Sequence, residues 1–169
     1  MLLGLTYAQF VAIVGGSMLA FDAPNQSANQ NTKYLITAGT NAKNKGPVGR
    51  DGLLTLEARP ADELAWGFKP VYSLGFSVDG AAFAGYGVRK DYSWRDVQVT
   101  PFFGPVLYQE SLGNFEAKQL LQFRTGFDVI YNLSPAVGLG WGFYHISNAG
   151  ITTESAGIDV SRVTLQFKY

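Results

Sequence analysis

The chain predicts an all-β fold, an eight-stranded antiparallel up-and-down transmembrane β-barrel. Three observations point there. Beyond residue 32 the side-chain pattern repeats every second residue rather than every 3.6. Charged residues make up only 15% of the chain, below the quarter usual for soluble domains, while aromatics reach 14% and glycines number 20. The apolar rows are long and carry large aromatics, and the rows opposite them combine both charge signs with glycine. That partition suits a narrow lumen filled by paired side chains and an outer face turned to lipid. Lipid offers unpaired backbone groups no partner, so such a sheet must close, and an even strand count closes naturally.

The elements follow in order. Met1 to Phe21 carries no charged side chain and is about long enough to span a bilayer as a helix. It also fits the apolar core of a secretory signal with Ala20 or Ala23 before a cut, although the positive n-region is missing. Residues 1–20 are therefore expected to be a degenerate signal or an N-terminal apolar appendage. Residues 21–32, with "DAPNQSANQNT", read as a polar linker, and 33–169 as the barrel domain. Strands are expected near 33–40, 51–59, 70–78, 81–90, 96–108, 118–132, 136–147 and 158–169, with no helix among them. Turn chemistry separates them in "NKGPVG", "RPADE", "VDGA", "NLSPA" and "NAGITTESAG". Alternation is clearest at the end, where Val163, Leu165, Phe167 and Tyr169 share one face and Arg162, Thr164, Gln166 and Lys168 the other. Likewise Leu121, Phe123, Phe127, Val129 and Tyr131 oppose Gln122, Arg124 and Asp128.

Several function classes fall away. Thirteen basic residues balance thirteen acidic ones with no basic stripe, so no nucleic acid is expected as partner. The absence of cysteine excludes disulfides, thiolate zinc sites and cysteine nucleophiles, and a single histidine argues against a metal centre. The spaced glycines of "GLGWG" have no helix after them to hold a nucleotide, and instead leave room for bulky lumen residues. Glu57, Arg59, Arg124 and Asp128 are candidates for a lumen ion network, and Trp66, Trp94 and Tyr92 for interface-belt aromatics.

The one histidine lies in "FYHISNAG". Val137, Leu139, Trp141, Phe143, His145 and Ser147 share the outward row of the seventh run, with Gly138, Gly140 and Gly142 facing in. Pairing this run with the last so that Trp141 meets Val163 and Leu139 meets Leu165 also sets His145 opposite Asp159. Directly opposed residues have Cβ atoms about 4.5–5.5 Å apart. Residues two apart on a strand are separated by roughly 6.5–7 Å. Ser147, His145 and Asp159 should therefore cluster on one outward patch, in the order that activates a serine nucleophile. Polar groups facing lipid are costly and tend to be functional. The "NAG" after the serine can curl to offer backbone N–H groups to an oxyanion.

"FYHISNAG" followed by "GIDV" and a final aromatic strand resembles the lipid A 3-O-deacylase (PagL-type) family of outer-membrane enzymes, closely over about the last thirty residues and in architecture before them. The terminal aromatic also resembles the C-terminal signal of bacterial outer-membrane barrels. The resemblance implies an eight-stranded barrel with its active site on the lipid-facing wall, hydrolysing the ester-linked acyl chain at position 3 of lipid A without a cofactor. It implies Ser147 as nucleophile, His145 as general base and Asp159 as the orienting acid. Asn148, Gly150 and Ser155 would form the oxyanion hole, and Trp141, Phe143, Val163 and Leu165 would cradle acyl chains.

The resemblance further implies lipid A or lipopolysaccharide as substrate and outer-membrane lipids as surroundings, with the site towards the outer leaflet; a homodimer is left open. Lys43, Lys45 and Arg50 would either meet lipid A phosphates or remain solvated loop charges. The chain departs from the family pattern at two positions. Asp159 stands where a glutamate is expected, which predicts a looser contact to His145, with Glu154 an alternative acid. Ser155 stands where an asparagine is expected. Two rivals remain at this stage: a non-catalytic structural or adhesion barrel, and a soluble lipocalin-like binder with its apolar rows inside.

Overall fold

The computed structural model describes residues 7–20, 32–43, 52–109, 120–148 and 157–169. In chain order these form helix α1 (Tyr7–Ala20), β1 (Lys33–Lys43), β2 (Gly52–Arg59), a 3-10 turn (Ala65–Gly67), β3 (Lys69–Ser77) and β4 (Ala82–Arg89), then β5 (Tyr92–Trp94), β6 (Val97–Gln109), β7 (Leu121–Asn132), β8 (Val137–Ser147) and β9 (Ile158–Lys168). Neighbouring strands pair antiparallel in the order β4-β3-β2-β1-β9-β8-β7-β6, and pairing of β4 with β6 closes the ring. Among the described residues eight strands thus make a closed wall. The three-residue β5 is a short extension folded onto the start of β6, Tyr92 opposite Val99. Strand ends fall close to the periodic runs read from the sequence. The alternation of "DYSW" is too short to register as a strand, so β5 was not foreseen.

The wall is apolar outside, and through the middle and the Lys33 end of the barrel it is polar inside. Tyr34, Ile36, Leu56, Leu74, Tyr86, Leu107, Leu121, Leu139 and Val163 are all exposed. On the alternate positions Thr37, Glu57, Arg59, Gln98, Arg124, Asp128, Arg162 and Thr164 are each 3% exposed or less. Water would not tolerate so continuous an apolar band on a monomer, whereas hydrocarbon favours it. The soluble lipocalin-like reading is excluded by this inversion.

The middle of the lumen is an ionic plug, and Phe83, Val106, Tyr108, Ile146, Ile158 and Val160 form an apolar cluster at the end nearer His145. Arg162 donates from Nη1 to Glu57 Oε1 at 2.6 Å and from Nη2 to Asp128 Oδ1 at 2.8 Å. Arg59 donates from Nε to Glu57 Oε2 at 2.9 Å and also pairs with Asp128. Arg124 completes the network on Glu57. Three guanidiniums meet two carboxylates, and aromatic faces take up the surplus charge. Arg124 Cζ lies 4.4 Å from the ring centroids of both Phe102 and Tyr144. The network needs space as well as charge. A β-carbon at Gly142, directly opposite Asp128, would collide with that carboxylate. The four residues expected in the lumen network are all present; Arg162 and Tyr144 join them.

At the end of the barrel where β1 starts and β9 finishes, Lys33 Nζ donates to Asp91 Oδ2 at 3.0 Å and to Gln98 Oε1 at 2.9 Å. Arg89 pairs with the same carboxylate. Burial works against the charge of Asp91, but Arg89 and Lys33 outweigh it and hold its carboxyl well below the usual carboxylate range. Trp66 and Trp94 stand exposed near this end, as interface-belt aromatics would.

Helix α1 packs against β6 and β7. Phe10 meets the outward Phe143 edge to face at 5.7 Å, and Tyr92 Oη donates to the carbonyl of Ser17 at 3.2 Å. The helix therefore lies along the outside of the wall, with Val14 and Met18 buried against it. At 14 residues it is about 21 Å long, and no described helix is long and apolar enough to cross a membrane.

Candidate active site

The β8–β9 hairpin has the register expected from its sequence. Trp141 pairs with Val163, Leu139 with Leu165 and His145 with Asp159. The period of two then places His145, Ser147 and Asp159 on the outward row, at the end of the barrel away from the Lys33–Lys168 pair. Nδ1 of His145 and Oδ1 of Asp159 are 2.6 Å apart, a full hydrogen bond between two partly buried groups. The looser contact expected of the shorter aspartate is not found. Direct opposition across the hairpin brings the two Cβ atoms close enough for the shorter carboxylate to reach.

Screening from water strengthens this pair. His145 is 7% exposed and Ser147 is 8% exposed although both are on the outer wall. Thr125, opposite His145 on β7, is fully buried and flanks the ring on the side away from Asp159. On the row beyond, Phe103 and Phe123 stack at 5.9 Å between centroids. The low local dielectric makes each hydrogen bond to the imidazole worth more than it would be in water. Asn148, expected at the oxyanion hole, is described and buried beside Ser147. Gly150, Ser155, Glu154, Lys45 and Arg50 lie outside the described residues.

Of the residues expected to meet acyl chains, Trp141, Val163 and Leu165 are open on the wall below the His145–Asp159 pair. Trp141 is held in place by its indole N–H, which donates to Ser161 Oγ at 2.9 Å. Phe143 differs. It is buried, and Phe10 of α1 covers it. Phe143 is therefore not open on the wall as Trp141, Val163 and Leu165 are. Sequence reasoning missed Thr125, Ser161 and Gly157, whose absent side chain leaves space for the imidazole. Pairing β7 with β8 across "NLSPA" would have found Thr125, because that turn fixes Tyr131 opposite Leu139 and hence Thr125 opposite His145.

A His-x-Ser spacing beside an opposed carboxylate on a lipid-facing wall can do acyl transfer on a substrate that itself lies in the membrane. A family model described as lipid A 3-O-deacylase (PagL) matches residues 52–168. No curated protein sequence matches the chain. Among solved structures, the crystal structure of the outer membrane enzyme PagL aligns with a TM-score of 0.55 at 11% identity, over 79% of this chain and 98% of that one. Neisserial surface protein A aligns at 0.56 and 10%, over 82% and 96%. A de novo designed transmembrane β-barrel aligns at 0.58 and 12%, over 85% and 98%. At these identities the structural likeness shows the fold alone, which is that of outer-membrane barrels.

Proposed function

The chain belongs to the lipid A 3-O-deacylase (PagL) family, and on that premise we propose that it is a cofactor-free serine esterase that removes the 3-linked acyl chain of lipid A at the outer leaflet. The observation that carries this reading is the 2.6 Å contact between His145 Nδ1 and Asp159 Oδ1 on the lipid-facing row, two residues from Ser147. The fold does not choose the function, because a surface protein and a designed barrel share it equally.

The chemistry runs in two halves. Asp159 accepts a hydrogen bond from Nδ1–H, which fixes the tautomer whose lone pair is on Nε2, the atom that acts as base. Ser147 Oγ attacks the ester carbonyl carbon as Nε2 takes its proton. The negative charge on the carbonyl oxygen is met by the backbone N–H groups at Asn148 and Gly150, with Ser155 as a further donor. The intermediate collapses, the sugar 3-oxygen leaves with the proton from His145, and the acyl group stays on Ser147. Water, deprotonated by Nε2, attacks the acyl-serine; a free fatty acid departs and the serine regains its proton. With both ends of the barrel on the periplasmic side, the β8–β9 connection faces out and the triad is level with the outer leaflet. Trp141, Val163 and Leu165 then offer the acyl chain an apolar track towards the membrane midplane.

Lipid A from Gram-negative cells that make this chain, analysed by mass spectrometry, is expected to lose one acyl chain, with the 3-hydroxyl of the sugar freed. An unchanged acylation pattern with the folded barrel present in the outer membrane would count against the reading.

A further inference from the structure

We propose that Gly157 is a positioning residue of this esterase: its missing side chain is the space into which the His145 imidazole leans to reach the row of Ser147. The proposal rests on the reading of Ser147 and His145 given above. On a strand the side chains of residues two apart stand roughly parallel and roughly 6.5–7 Å apart, more than twice the length of a hydrogen bond. A His-x-Ser pair therefore cannot meet if both side chains stand upright; one must lean along the strand.

In the structure it is the histidine that leans, towards Gly157. Asp159 is opposite His145 and Ile158 is opposite Ile146, so Gly157, one residue earlier on the partner chain, falls opposite Ser147. A β-carbon built on Gly157 would lie 2.7 Å from Nε2 of His145, closer still to Cε1, and 3.6 Å from Nδ1. The Nε2–Cε1 edge of the ring thus lies over the Gly157 backbone, in the row of Ser147, while Nδ1 stays with Asp159 at 2.6 Å. Thr125, opposite His145 on the other flanking strand, is fully buried, so His145 sits between Asp159 on one neighbouring strand and Thr125 on the other. The constraint is space alone. Gly157 does not adopt a left-handed backbone, so an alanine can follow the same path of the chain.

The test is Gly157→Ala in the full-length protein, with activity on purified lipopolysaccharide normalised to the folded fraction that migrates as a compact barrel without heating. The expected result is a fall in kcat of about 100-fold or more, with KM within about twofold because the acyl track is untouched. His145 is the only histidine, so its imidazole proton resonances can be assigned without ambiguity. The downfield signal of a proton shared with Asp159 should be present in the wild type and lost or displaced in Gly157→Ala. In a His145→Ala background the glycine substitution should cost nothing further. Wild-type kcat and an unchanged imidazole signal in the folded Gly157→Ala protein would overturn the proposal. So would a variant whose only defect is a smaller folded fraction. Ser147→Ala separates the two levels: if it stays active, the esterase reading fails and this proposal with it; if it is dead while Gly157→Ala is fully active, only the role of Gly157 fails.

Discussion

Replacing Ser147 by alanine is expected to slow fatty-acid release from lipopolysaccharide by about 10⁶-fold, with the barrel unaltered. In the proposed mechanism the hydroxyl forms the acyl intermediate, so its loss would remove the two-step route and leave only a weakly assisted attack by water. Ser147 is 8% exposed on the outward row, and trimming one oxygen there leaves the β8–β9 ladder and the lumen network untouched. Substrate binding should also survive, because the open apolar residues Trp141, Val163 and Leu165 are rows away. Gas chromatography of released fatty acid over a time course, with folding checked on the same sample, measures this. A rate within tenfold of wild type would remove Ser147 from the mechanism.

Asp159→Asn should cost about 10⁴-fold in kcat. The substitution keeps size and shape but exchanges a pure acceptor for a group that can donate. An amide N–H pointed at Nδ1 favours the tautomer with the proton on Nε2, which then cannot accept the serine proton. The short contact, 2.6 Å with the Asp159 side chain only 16% exposed, makes the penalty large, because little water is available to substitute for the carboxylate. The imidazole spectrum should report the change directly, with the protonated nitrogen moving from Nδ1 to Nε2. A variant that keeps more than a tenth of wild-type activity would mean that another acid orients the ring, and Glu154 in the β8–β9 connection would be the next to replace.

Much of this architecture can be read from a pattern of two. "SRVTLQFKY" and "LQFRTGFDVIY" each separate an apolar row from a polar one, and the apolar pairing of Trp141 with Val163 is enough to set His145 opposite Asp159. A one-residue slip would have turned every side chain to the other face, so the register is strongly determined. Sidedness was also legible, because Glu57, Arg59, Arg124 and Asp128 have no business on a lipid face. What could not be read depends on contacts between distant segments. β5 is three residues long and exists only by pairing with Val97–Val99. The apolar stretch before residue 21 showed no periodicity to say which surface α1 would meet, and Phe10 over Phe143 is a tertiary event. Gly157 reads in sequence as one more turn residue in "TESAGID". Its importance appears only once the ring of His145 has a direction.

The central claim is that a serine on the membrane-facing wall is made nucleophilic by the His145–Asp159 pair. The most direct measurement is the site of labelling by an alkyl fluorophosphonate dissolved in the bilayer around the reconstituted protein, read by peptide mass spectrometry. The account predicts a single adduct within "FYHISNAG" on Ser147, absent from the Asp159→Asn protein. No adduct on the folded wild type, an adduct on any other hydroxyl, or equal labelling of Ser147 in Asp159→Asn would contradict it.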